Sequence, residues 1–206
     1  MREPRRDGTE ASYHELAMTI IFKMLKKRAG RSMDPLHVSM TGINMGERFV
    51  MIGCDDRALL SGLAAKSGLS GTSAVAPFDA ASAQRATTVG TKIGALIDVR
   101  PIEGTTLSFE SDSVDMVVVD DTRGTFAAHP ASVRVDLLKE ARRLVRAGGR
   151  VEVVEGSGGG LFGGAVSRPA GYDVTQDLSA AGFYPVRVLA ERDSFRFVEG
   201  LRRGTA

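Results

Sequence analysis

Gly46-Glu47-Arg48-Phe49-Val50-Met51-Ile52-Gly53-Cys54-Asp55-Asp56-Arg57 is the stretch from which the fold can be read. Phe49 to Gly53 is an unbroken apolar run, as a strand covered on both faces requires. It passes into a tight turn and then a segment with Leu59, Leu60, Leu63 and Ala64 at helical spacing, ending near Gly68. Asp55 or Asp56 is placed to cap that helix. Strand, turn and helix in this order put a ligand site at the carboxyl end of the strand. Yet Asp55, Asp56 and Arg57 stand where a phosphate- or adenosine-cradling loop uses glycines.

The same alternation continues outward. Ser73 to Val75 reads as a weak second strand, and Asp79 caps a helix through Ala86. Ala95 to Val99 is a third strand, and Val114 to Val119, dense in β-branched residues, a fourth. A helix over 131–146 carries Leu137, Leu138, Ala141, Leu144 and Val145 on one face. Gly148 and Gly149 end it, and Val151 to Val154 is a fifth strand. A helix over 174–181 leads to two closing strands, 184–189 and 194–198. This pattern predicts a largely parallel α/β sheet with helices on both faces.

Upstream, Ser12-Tyr13-His14-Glu15 forms a capping box for an amphipathic helix over 13–28, preceded by a disordered tail over 1–11. Residues 12–44 are then a helix and connection, 45–200 the main domain and 201–206 a tail. The helix face from Tyr13 to Leu25 is expected to pack on its own domain. A peripheral contact with an anionic membrane and a homodimer contact through Met18 and Phe22 are the other uses of such a face. Residues 156–164, mostly glycine, serve as a plain connection or as a lid over a substrate.

The 206 residues, 43% of them hydrophobic, suffice for one core. With 27 basic against 25 acidic side chains, the charge is too balanced to indicate nucleic acid. A single cysteine excludes an intramolecular disulfide, and three scattered histidines offer no metal-ligand spacing. The longest nearly apolar run, Leu16 to Phe22, is too short to span a bilayer, and no signal-type segment follows the charged N-terminus. A cytoplasmic protein without an integral membrane segment is the expectation.

Three passages carry a family resemblance. Leu107 to Val118 is similar to "L-P-F-x-D-x-S-F-D-x-V" before a fourth strand. Glu140 to Arg150 is similar to "E-x-x-R-v-L-k-P-G-G-r", and Leu178 to Phe183 to "L-x-x-A-G-F". In this order they resemble class I S-adenosylmethionine-dependent methyltransferases, specifically the type 11, ubiquinone/menaquinone-biosynthesis-type branch. The resemblance implies a Rossmann-like methyltransferase fold, a seven-stranded mostly parallel sheet with an antiparallel last strand. It also implies S-adenosylmethionine as cofactor and methyl transfer to a small molecule.

The cofactor motif itself is degenerate. The family's "D-x-G-x-G-x-G" falls on Met51, Gly53, Asp55 and Arg57, of which Gly53 alone matches. The ribose-binding acid falls on or beside Pro77, with Asp79 two positions late. The acid near the adenine falls on Glu103. The resemblance therefore points to Gly53, Cys54, Asp55, Arg57, Glu103 and Asp120 as cofactor contacts, with Arg57 pairing the methionine carboxylate. No catalytic base is identified.

Two added carboxylates beside that methionine carboxylate cost about 1 kcal/mol in water and about 4 at intermediate dielectric. A lost ribose acceptor costs about 1–3 kcal/mol. An inactive binding or scaffold module with this fold is the alternative to an enzyme. Each candidate also has a plainer role: helix capping for Asp55 and Asp56, packing for Cys54. His129 is a loop histidine or a general base, and Asp120 or Asp121, ending the fourth strand, contacts a ligand or serves the fold alone.

Overall fold

The computed structural model describes residues 35–157 and 166–204. The expected helix over 13–28, the tail over 1–11 and most of the glycine-rich loop lie outside them. The elements in chain order are α1 (Leu36–Met40), β1 (Arg48–Ile52), α2 (Arg57–Ser67), β2 (Thr72–Ala76), α3 (Ala80–Ile93) and β3 (Ile97–Val99). They continue with β4 (Val114–Asp121), α4 (Ala131–Leu144), β5 (Val145–Gly156), α5 (Val174–Ala180), β6 (Val186–Arg192) and β7 (Phe195–Leu201). The strands form one sheet in the order β3-β2-β1-β4-β5-β7-β6. β1 to β5 pair in parallel, while β7 runs antiparallel to both β5 and β6.

Alternation along the central strands explains why they read as continuous apolar runs. Val50 and Ile52 of β1, Val117 and Val119 of β4, and Val151 and Val153 of β5 face one side, against Leu137, Leu138, Ala141 and Leu144 of α4 and Leu178 of α5. Phe49, Met51, Met116, Val118 and Val154 face the other, against α2 and α3. Each strand thus buries both pleats. Gly62 of α2 permits close approach of α1, because a Cβ there would lie 2.4 Å from Val38 Cγ2.

Several boundaries differ from the sequence expectation; β5 starts at Val145 and not at Val151, and β6 and β7 run on to Arg192 and Leu201. α3 runs on past Ala86 to Ile93, although Thr87, Thr88 and Gly90 are weak helix formers. Buried Val89 anchors the extra turns, and Gly90 lets the Ala95 carbonyl approach. α4 stops at Leu144 because Val145 already pairs with Val114 of β4. The short helix α1 lies within the connection expected ahead of the main domain.

The Glu140-x-x-Arg143 pattern has a structural explanation. Arg143 donates to the carbonyls of Leu107 (2.8 Å) and Phe109 (2.9 Å), and Glu140 accepts from the Leu107 amide (3.1 Å). The pair clamps the helix-free β3–β4 connection onto α4. Charge-assisted bonds of this kind are the stronger hydrogen bonds in a fold.

Candidate functional site

The site builds from the carboxyl end of β1. Gly53 takes φ +81°, a conformation that disfavours side-chain-bearing residues. A Cβ there would lie 3.0 Å from Phe78 Cε2 and 3.3 Å from the Asp120 carbonyl oxygen. Glycine is therefore required twice over, by conformation and by space. Asp56 then N-caps α2, its Oδ1 accepting from the amides of Ala58 (2.7 Å) and Leu59 (3.2 Å).

The Asp120 carboxylate at the end of β4 is fully buried and faces this turn. Its Oδ2 accepts from the amides of Asp55 (2.7 Å) and Asp56 (2.8 Å). Its Oδ1 accepts from the amide (3.1 Å) and hydroxyl (2.6 Å) of Thr122. Burial pushes the acid upward in pKa against these bonds. A carboxylate of the chain itself thus occupies the two turn amides that an anionic ligand would use.

Asp55 spans the crevice. Its Oδ1 pairs with Arg85 of α3 at 2.9 Å, and its Oδ2 accepts from the Thr125 hydroxyl in the loop after β4. Arg85 also donates through Nε to the Cys54 carbonyl. Cys54 is buried, and burial lifts its thiol to about 12, so it packs and does not act as a thiolate at neutral pH. His37 of α1 reaches the same end of the sheet, with Nε2 3.3 Å from Asp56 Oδ2 and its ring 5.1 Å from that of Phe195. Burial holds this histidine below its ordinary pKa, so it is neutral.

At the end of β2, Pro77 is buried and offers no acceptor. Asp79 spends its Oδ1 on the amide (2.6 Å) and hydroxyl (2.7 Å) of Ser82, closing a capping box at the start of α3. Pro77 thus has no carboxylate to offer at the ribose-acid position, and Asp79, exposed two positions later, has its Oδ1 committed to the helix cap. Glu103 is exposed on a tight turn bridged to Thr106, in the β3–β4 connection.

Asp121, the neighbour of Asp120, is also fully buried. It accepts from the Ala127 amide (3.0 Å) and pairs with Arg168 (3.0 Å), and burial lifts its pKa to about 6. It orders the loop after β4. His129 in that loop lies 5.0 Å from the Phe78 ring and is held below its ordinary pKa by burial and by Arg134.

Of the residues singled out in the sequence, Gly53, Cys54, Asp55 and Asp120 come together directly. Arg57 is exposed at the rim of a depression of about 580 Å³, which Asp55, Asp56, Arg85, Thr122, Arg123 and Phe195 also line. Glu103 does not line it. Arg85, Thr125, His37, Phe78 and Phe195 were missed by sequence reasoning, because each reaches the turn from a distant element. Among the described residues, no group of His, Cys, Asp and Glu could hold a metal ion, and no helix is long and apolar enough to cross a membrane.

The residues present do not fit S-adenosylmethionine held in the family manner. The turn amides are taken by Asp120, Pro77 stands at the ribose-acid position, and Asp55 bridges to Arg85 and Thr125.

No family model matches this chain, and no curated protein matches its sequence. Solved structures do match its fold. A SAM-dependent methyltransferase from Aquifex aeolicus superposes with a TM-score of 0.65 at 18% identity, covering 87% of this chain and 97% of the other. One from Methanosarcina mazei gives 0.56 at 15% identity, over 84% and 100%. The [4+2]-cyclase SpnF gives 0.59 at 13% identity, over 84% and 80%. The fold is that of the class I S-adenosylmethionine-dependent methyltransferases.

Proposed function

We propose that this chain is a methyltransferase-fold protein inactive in methyl transfer, kept as a binding or scaffold module. One observation carries this reading. The turn amides of Asp55 and Asp56 find their acceptor in Asp120, and the Asp55 carboxylate is tied to Arg85 and Thr125. A turn satisfied in this way gains little from a ligand and loses existing bonds to it. Fold does not dictate chemistry, and one of the fold neighbours is named a cyclase.

A second reading, S-adenosylmethionine-dependent methyl transfer to a small molecule of the kind handled by the type 11 branch, draws support from two features. Gly53 keeps its left-handed conformation at the end of β1, and Arg57 is available at the rim for a methionine carboxylate. That reading requires cofactor binding; the first does not.

Calorimetry with S-adenosylhomocysteine separates them. The wild-type chain is expected to show no binding at millimolar ligand, where a family-like site at about 100 μM would contribute roughly 5.5 kcal/mol. A dissociation constant below about 100 μM would remove the inactive reading.

A further inference from the structure

Three arginines, Arg57, Arg85 and Arg123, and two aspartates line the depression over the β1 turn. Asp55 is spent on Arg85 and Thr125, and Asp56 accepts the amides of Ala58 and Leu59. Arg57 and Arg123 are exposed on its lining, and neither has an acidic partner among the described residues. The two unpaired guanidiniums thus outnumber the remaining Asp56 carboxylate, and they share the lining with the half-buried ring of Phe195. The sulfonium of an adenosyl-methionine cofactor, itself positively charged, gains nothing from these guanidiniums. Guanidiniums match phosphate oxygens in geometry and charge, and an aromatic ring accepts a planar group against its face.

We propose that this depression binds a phosphate-bearing small molecule with a planar ring, of nucleotide chemistry, its phosphates held by Arg57 and Arg123 and its ring set on Phe195. The proposal rests on the reading that this site no longer takes the adenosyl-methionine cofactor. The volume of about 580 Å³ lies within the range of small-molecule sites. Asp120, already seated on the turn amides, leaves the arginines as the phosphate anchor.

Calorimetry on the full chain tests it with ADP, inorganic pyrophosphate, adenosine and S-adenosylhomocysteine as separate probes. ADP is expected to bind with a dissociation constant below about 100 μM, pyrophosphate more weakly and adenosine undetectably. ADP affinity should fall several-fold between low and high salt, as exposed charge pairing requires. It should fall at least tenfold in the Arg57→Glu/Arg123→Glu variant. Both positions are exposed, and an acid in the first turn of α2 suits the helix dipole, so the variant should fold. Should it fail to fold, the salt dependence of the wild-type chain decides.

No ADP binding at millimolar concentration would overturn the proposal. So would salt-independent binding, binding unchanged in the folded double variant, or adenosine binding as tightly as ADP. Tight S-adenosylhomocysteine binding with no ADP binding would instead overturn the inactive reading of the site. The two failures are therefore distinct.

Discussion

Replacing Asp177 by alanine is expected to cost about 3–5 kcal/mol of stability, the usual effect of stranding one member of a buried ion pair. Arg134 Nε sits 2.7 Å from Asp177 Oδ2, and the two side chains are 6% and 10% exposed. Arg134 also donates to the His129 carbonyl at 2.6 Å and lies over the Tyr172 ring at 4.8 Å. The pair therefore ties α4, α5 and the loop after β4 into one unit. Urea unfolding of Asp177→Ala measures the loss, and the melting temperature should fall by roughly 10 °C. The double variant Arg134→Met/Asp177→Leu should recover most of it, since no buried charge is then left alone. Recovery by less than a quarter would show that the geometry of the pair, and not its uncompensated charge, dominates.

The second large effect concerns Glu152, in the middle of β5. It is fully buried, and neither carboxylate oxygen has a hydrogen-bond partner. On β7 it faces Glu199, itself held by Arg187 at 2.7 Å, and on β4 it neighbours Val118. Burial first, and Glu199 second, lift Glu152 to about 8 from 4.5. The folded chain thus holds a proton that the unfolded chain releases. Stability from this group is fully present below pH 4.5 and is lost progressively as pH rises to about 8.

At about 1.4 kcal/mol per pKa unit, that loss is on the order of 3–5 kcal/mol. Glu152→Met fills the same space without a charge. It should therefore stabilise the chain by about 2–4 kcal/mol at pH 9 and by little or nothing at pH 5. Taking the difference between variant and wild type cancels the titrations of Asp121, His37 and His129. Urea midpoints at the two pH values measure it, and a difference independent of pH would refute the assignment.

The fold was legible where a single segment carries its own signal. Phe49 to Ile52 and Val114 to Val119 are apolar on both pleats, and Asp56 precedes a leucine pattern that needs a cap. Sequence fell short where tertiary packing outweighs local preference. α3 continues through Thr87, Thr88 and Gly90 because Val89 is buried and Gly90 admits the Ala95 carbonyl. No propensity rule sees either fact.

The site was legible in part for the same reason. Gly53, Cys54 and Asp55 are local to the β1 turn, and Asp120 ends a strong strand, so position alone nominated them. Arg85 meets Asp55 from 30 residues away, and only the register of α3 turns it toward the crevice. His37 and Phe195 arrive from opposite ends of the domain. What looked in the sequence like a degraded glycine loop is, in three dimensions, a turn rebuilt around internal partners.

The central claim of the proposed reading is that the Asp55–Arg85 bridge closes the crevice at the β1 turn to an adenosyl group. Calorimetry of the Asp55→Gly/Arg85→Ala variant with S-adenosylhomocysteine tests it most directly. The variant removes the bridge to Thr125 and restores a glycine at the second motif position. We expect a gain from no detectable binding to a dissociation constant of a few hundred micromolar, about 5 kcal/mol, the missing ribose acceptor keeping it from tighter values. A folded variant that still shows no binding at millimolar ligand would contradict the claim, as would a wild-type chain that binds as tightly as the variant.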